Sequence, residues 1–282
     1  MEFNVEKICE VDWNTDAFAN LVLPDDRKHL LQSLIEAHHK EVGFDDFIKG
    51  KGYGLVINLF GPPGVGKTFS AEATSEHVRS PLYVVGAGDL GTTAPSLDSA
   101  LESIFDVATE WKAIVLIDEA DVFLEQRSLH DLERNAMVAV LYVEFSSQFL
   151  TLPLTNTNSI SLRHVEYYRG ILFLTTNRVK AFDESFLSRI HVALHFSELT
   201  QESKEKVWTA FIAKMGSSAK GITKAQITEL AKHGINGRQI KNAARTAHSL
   251  ALGKGEQVEY EHLRLTLDVM DEFTREVERR DE

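Results

Sequence analysis

The chain has 282 residues, 43% of them hydrophobic, with a formal net charge of -12 and a single cysteine, Cys9. Its length and apolar content suffice for one large α/β domain or two smaller ones. The acidic balance provides no overall basic field to draw it to nucleic acid or an anionic membrane, and one cysteine excludes an intrachain disulfide. The opening MEFNVEKICEVDWNTD lacks the apolar core of a signal peptide, and no run approaches the roughly 18 apolar residues of a membrane span. The expected setting is therefore intracellular, cytoplasmic or nuclear, with no membrane span and no nucleic-acid partner.

In chain order, residues 1–25 read as a flexible N-terminal segment. Pro24-Asp25 introduces a helix whose apolar face is Leu30, Leu31, Leu34 and Ile35. His38-His39, on the same helix, point to different sides, cannot share a metal, and read as surface residues. Gly50-Lys51-Gly52-Tyr53-Gly54 leads into an apolar run, Leu55 to Phe60, interrupted by Asn58 alone and of the kind that forms a buried parallel strand. The run breaks into Gly61-Pro62-Pro63-Gly64-Val65-Gly66-Lys67-Thr68, and the next stretch, Phe69 to His77, is free of Pro and Gly and reads as a helix. Gly61, Gly66, Lys67 and Thr68 satisfy G-x-x-x-x-G-K-[ST], the P-loop pattern, in which backbone N–H groups wrap the phosphates of a nucleotide. Lys67 is expected to reach the outer phosphates and Thr68 to hold magnesium, with the whole loop from Gly61 to Thr68 binding nucleotide. The alternative is a glycine turn joining strand to helix with no ligand.

A second strand, Pro81 to Val85, precedes a helix with Leu97, Leu101, Ile104, Phe105 and Ala108 on one face. A third, Ala113 to Ile117, ends in Asp118-Glu119-Ala120-Asp121. Strands alternating with helices predict a parallel sheet with helices on both faces and ligands at the carboxyl ends of the strands. An apolar strand ending in Asp is the Walker B arrangement: Asp118 orders magnesium, and Glu119 is placed to polarise the attacking water. Acidic residues after a strand also serve as helix caps; the P-loop upstream favours the metal reading. A fourth strand, Ile171 to Thr175, runs into Thr176-Asn177-Arg178, where Asn177 can touch the same water and γ-phosphate or act as an ordinary turn residue. A fifth, Val192 to Phe196, comes after Ser188-Arg189-Ile190. From Glu198 the pattern is helical only, with Val207, Trp208, Phe211, Ile212 and Met215 on one helix and Ile240, Ala243, Ala244, Ala247 and Ala251 on another, the latter capped by Asn236 and Gln239. The expected fold class is α/β: a five-stranded parallel P-loop sheet between helices over 26–197, then a small all-helical lid over 198–282.

The residues quoted so far resemble those of an AAA+ ATPase, close to the AAA-domain proteins common in fungi. The resemblance covers roughly Ala17 to the C-terminus. It is carried by GPPGVGKT at 61–68, IVLIDEADVFLEQR at 114–127, ERNA at 133–136, ILFLTTNR at 171–178 and FDESFLSRIH at 182–191. It implies ATP and Mg2+ as ligands, with Lys67 and Thr68 on nucleotide and metal, Asp118 and Glu119 as the Walker B pair, and Asn177 as sensor 1. Arg189 resembles the arginine finger that one subunit offers to its neighbour's γ-phosphate; otherwise it is a surface salt-bridge arginine. Arg238, in Gly237-Arg238-Gln239, falls where family members carry a sensor 2 element that reaches the phosphates. The resemblance further implies a homo-oligomeric ring, a hexamer being the familiar size, that remodels a protein partner.

The chain also departs from the family's pattern. One arginine, with His191 beyond it, stands where classical members often have two. GTTAPS occupies the place of the aromatic pore loop, so threading of a polypeptide is not implied. The stretch 142–161 has one charged residue, Glu144, and removing it aligns Val138, Leu141, Leu162 and Val165 on one helix face. It is expected to be an insertion, either a retained intron in the gene model or a loop at the ring surface. The letters DEAD at 118–121 do not make a helicase, which needs two tandem motor domains, and a single-domain kinase lacks the Asp-Glu pair and the trailing helices. The competing reading is an ATP-binding scaffold that assembles with nucleotide but turns over little; Glu119 and Arg189 argue for hydrolysis.

Overall fold

The computed structural model describes residues 10–40, 54–90, 94–120, 168–178, 189–219 and 221–281. The expected insertion at 142–161 lies outside them. Five strands form one sheet: β1 (Leu55–Phe60), β2 (Leu82–Val85), β3 (Ile114–Ile117), β4 (Ile171–Thr176) and β5 (Val192–His195). Their order is β2-β3-β4-β1-β5, and every neighbouring pair is parallel. β1 lies between β4 and β5, which accounts for a run that is apolar except at Asn58: Leu55 to Leu59 are all buried. β2 and β5 are the edges, and Val84 is 52% exposed on the first of them.

Helices cover both faces. Strand side chains alternate between the two, so Ile57, Leu59, Leu116 and Phe173 pack under α3 (Lys67–Val78), while Val56, Val115, Leu172 and Leu174 pack with Leu97, Leu101 and Phe105 of α4 (Ala94–Glu110). The α3 side is closed by α2 (Asp25–His39), through Leu31 and Ile35 at 0% exposure. Leu30, expected on that apolar face, instead lies 45% exposed. The N-terminal segment also differs from expectation. Asp16–Ala19 forms a one-turn helix, α1, and Ala17, Phe18 and Leu21 are buried in the same core as α3. Phe18 stacks on His77 at 4.8 Å between ring centroids, so about one helical turn of chain is held by packing rather than by helix propensity.

Beyond Thr200 the chain is helical: α5 (Gln201–Met215), α6 (Lys224–Leu230), α7 (Gly237–Lys254) and α8 (Tyr260–Asp281). Thr223 with Gln226 and Asn236 with Gln239 form capping boxes at the starts of α6 and α7. Ala243, Ala244, Ala247 and Ala251 make a narrow flank on α7 that lets it pack against both α5 and α8, around Trp208, Leu263 and Leu267. Among the described residues no helix is long and apolar enough to cross a membrane.

Candidate nucleotide site

The sheet delivers its polar residues to one place. β1 ends in the loop Gly61 to Gly66, and α3 starts at Lys67 with Gly66 as its N-cap, at φ 108° and without a side-chain cap bond. The first N–H groups of α3 are therefore left to an anion at the positive end of the helix dipole. No atom comes within 4 Å of where a Cβ on Gly66 would sit, so the loop is open on that side, and φ of 108° is a region that side-chain-bearing residues rarely adopt. The Lys67 side chain, 7% exposed, folds back beneath the loop: its Nζ donates to Gly61 O at 2.7 Å, Pro62 O at 2.6 Å and Asn177 Oδ1 at 2.8 Å. The last bond spans 110 positions of sequence and ties the P-loop to the end of β4.

Beside it, Thr68 Oγ1 stands 3.3 and 3.4 Å from the two oxygens of Asp118, long for a hydroxyl–carboxylate bond. Asp118 is also bonded by the Thr175 hydroxyl. Glu119 comes next, with φ of 55°, left-handed backbone that costs a residue with a Cβ about 1–2 kcal/mol. Its N–H donates to Thr175 Oγ1 at 3.0 Å, and the next N–H, of Ala120, donates to Thr175 O at 2.8 Å. Glu72, one turn beyond Thr68 on α3, has its carboxyl raised above the usual range by partial desolvation; Lys241 of α7 counters this and Asp118 adds to it. The hydroxyl of Thr68 and the Asp118 carboxylate are the hard oxygen donors that magnesium takes, so the residues present fit that ion.

α7 closes the loop from above. Arg238 N–H donates to Gly64 O at 3.3 Å, and a Cβ on Gly64 would come within 2.5 Å of the Asn236 side chain. Arg238 thus reaches the loop through its backbone, and its side chain is exposed. A Gly64→Ala substitution meets both this clash and a φ of 74°. We expect it to lower stability by about 1–2 kcal/mol in denaturant titration, and to weaken nucleotide binding by separating α7 from the loop. Next to Val65, a groove of about 960 Å³ runs between the α1–α2 junction (Leu21, Leu23) and α5 (Thr209, Ala210).

Arg189 is the one sequence-predicted residue that lies elsewhere. His191 N–H donates to Val56 O, and His191 Nδ1 accepts from Val56 N–H, both at 3.0 Å, which places the start of β5 at the amino-terminal edge of the sheet. The P-loop leaves β1 at its opposite, carboxyl-terminal end. Pro62, Pro63 and Val65 form the body of the loop, with Val65 buried and Pro63 exposed. Sequence reasoning missed Thr175, and it placed Asn236 as a helix cap without its approach to Gly64. The register Ile117↔Leu174 brings the residues after them, Asp118 and Thr175, alongside each other, a relation visible only once strand order is known.

A parallel sheet with a glycine loop feeding a helix at its carboxyl edge, an Asp at the end of a second strand and a helical unit over the loop together define a P-loop nucleotide-binding protein. Residues 57–198 match the family described as "ATPase family associated with various cellular activities (AAA)". This chain belongs to that family of ATPases, as its motifs suggest. It is 29% identical over 191 residues to spastin of Anopheles gambiae, covering 67% of this chain and 22% of that protein. It is 27% identical over 184 residues to ATPase family AAA domain-containing protein 3B of Homo sapiens, covering 63% and 26%. The chain therefore spans about a quarter of the length of these curated relatives. Its fold is shared by the FIGL-1 AAA domain, crystallised in complex with ADP, at a TM-score of 0.61 and 16% identity over 89% of this chain and 82% of that one.

Proposed function

We propose that this chain hydrolyses ATP with magnesium by in-line attack of water on the γ-phosphate, within a homo-oligomeric ring of hexamer type that remodels a protein partner. The observation that carries the reading is the convergence of Lys67 and Asn177 at 2.8 Å beside Thr68 and Asp118, because in-line transfer needs phosphate charge, metal ligands and a water-orienting group at one point. Gly61 to Thr68 hold the phosphates, and Lys67 neutralises their charge. Thr68 and Asp118 would hold magnesium, which when bound offsets the negative charge of the phosphate oxygens. Glu119 polarises the water and accepts its proton, Asn177 orients it, and the bond to the leaving β-phosphate oxygen breaks. The groove beside Val65 takes the nucleoside. Residues 26–197 would carry this site and 198–282 serve as the lid, with Arg238 at the lid's contact with the loop. Arg189 would complete the site of an adjacent subunit.

The test is phosphate release by the purified chain with ATP and magnesium, together with its mass in solution with and without nucleotide. Turnover that vanishes on chelation and an assembly larger than a monomer are expected. A chain that binds ATP yet releases no phosphate at any concentration would contradict the reading.

A further inference from the structure

One hydroxyl touches both Asp118 and Glu119. Thr175, 1% exposed in β4, donates its O–H to Asp118 Oδ1 and accepts the Glu119 N–H at 3.0 Å. Its own carbonyl accepts from Ala120 N–H at 2.8 Å, so three consecutive residues, Asp118 to Ala120, are fastened to a single position of the neighbouring strand. The fold alone does not ask for a hydroxyl here. A valine would match the shape and the strand preference, and the preceding residues of β4, Ile171 to Leu174, are all apolar and buried. The next residue shows the contrast: the Thr176 hydroxyl is spent locally, accepting Arg178 N–H at 3.0 Å and donating to Arg178 O at 3.2 Å to shape the turn. The Thr175 hydroxyl instead reaches across to Asp118 and Glu119 at the end of β3. Glu119 sits in left-handed backbone, a conformation that persists where surrounding bonds over-determine it. The acceptor that Thr175 supplies is one of those bonds.

We propose that Thr175 is a positioning residue for hydrolysis: its hydroxyl fixes the Asp118 carboxylate for the metal and the Glu119 backbone for the water as one unit. The inference rests on the ATPase reading above. Without the hydroxyl, Asp118 Oδ1 loses a donor that sets its rotamer, and the Glu119 N–H loses its acceptor.

The test compares Thr175→Val with Thr175→Ser in the full chain. Three quantities are read: melting temperature, binding of a fluorescent ADP analogue with magnesium and in chelator, and steady-state kcat and KM. The valine variant is expected to melt near the wild type and to bind the analogue normally in chelator. It should lose most of the magnesium-dependent gain in binding, with KM for ATP in magnesium rising by about that same factor, and drop kcat roughly tenfold to a hundredfold, the size of effect typical for residues that orient metal ligands. Serine, which keeps the hydroxyl, should recover most of both. Wild-type kcat and magnesium response in the valine variant would overturn the proposal, and so would equal loss in valine and serine, which would make packing the cause. If valine fails to fold, Thr175→Ala takes its place with the same expectations. If the wild type releases no phosphate, the ATPase reading fails, while the magnesium-dependent binding comparison still decides the role of Thr175.

Discussion

Glu119→Gln should leave nucleotide binding intact and lower ATP turnover by about 10²–10⁴-fold, the usual contribution of a general base. The substitution is close to a pure test of charge. Glutamine has the shape of glutamate and the same cost in left-handed backbone, so the bond from residue 119 N–H to Thr175 Oγ1 and the φ of 55° have no reason to change. The side chain is exposed and has no packing role in the core to lose. On the proposed mechanism the change removes the carboxylate that would accept the proton of water. On the proposed reading binding is made elsewhere, by the loop from Gly61 to Thr68, with Lys67 held against Gly61 O, Pro62 O and Asn177 Oδ1. A companion variant separates chemistry from strain. Glu119→Gly should be equally inactive yet more stable by about 1 kcal/mol, because glycine accepts left-handed backbone without the Cβ penalty. Stopped-time phosphate release and equilibrium binding of labelled ATP read the first effect; denaturant titration reads the second.

Arg189→Ala should also cost turnover in the assembled protein, about 10³-fold or greater if it serves as an arginine finger, with binding to a subunit's own loop unchanged. The geometry supports this division. Val192, the first residue of β5, pairs with Ile57, so about four residues of β1 at about 3.3 Å each, roughly 13 Å, separate it from the P-loop, and Arg189 precedes it in the chain. On the proposed reading Arg189 therefore contributes to the site of an adjacent subunit rather than its own. A surface ion pair would behave differently: its loss would move stability by about 0–1 kcal/mol and leave kcat alone.

The sequence made the site legible where a motif dictates local backbone. Gly61 to Thr68 could be read because the glycine spacing, the strand before it and the helix after it are all encoded within about twenty residues. Asp118 and Asn177 were legible as strand ends. The order of the strands was not, since β1 takes its partners from β4 and β5, more than a hundred residues further on, and nothing in an apolar run names its neighbour. Thr175 was invisible for the same reason: in ILFLTT it is an ordinary strand threonine until register sets it beside Asp118. α1 was missed because four residues are too few to show a helical period, and its order comes from burying Phe18 against His77. Leu30 was misassigned because an apolar face read from spacing alone is wider than the surface α3 and the sheet present to it. The contact of Asn236 and Arg238 with Gly64 joins two separately packed cores, and periodicity within either one carries no information about their meeting.

An ATPase site completed by two subunits is tested directly by mixing two inactive variants. Glu119→Gln subunits keep Arg189, and Arg189→Ala subunits keep Glu119. Combined in equal amounts under conditions that allow exchange, they should release phosphate well above either variant alone, because some sites then pair an intact Glu119 with an intact Arg189. A mixture no more active than its components, with exchange verified by mass, would contradict a shared site.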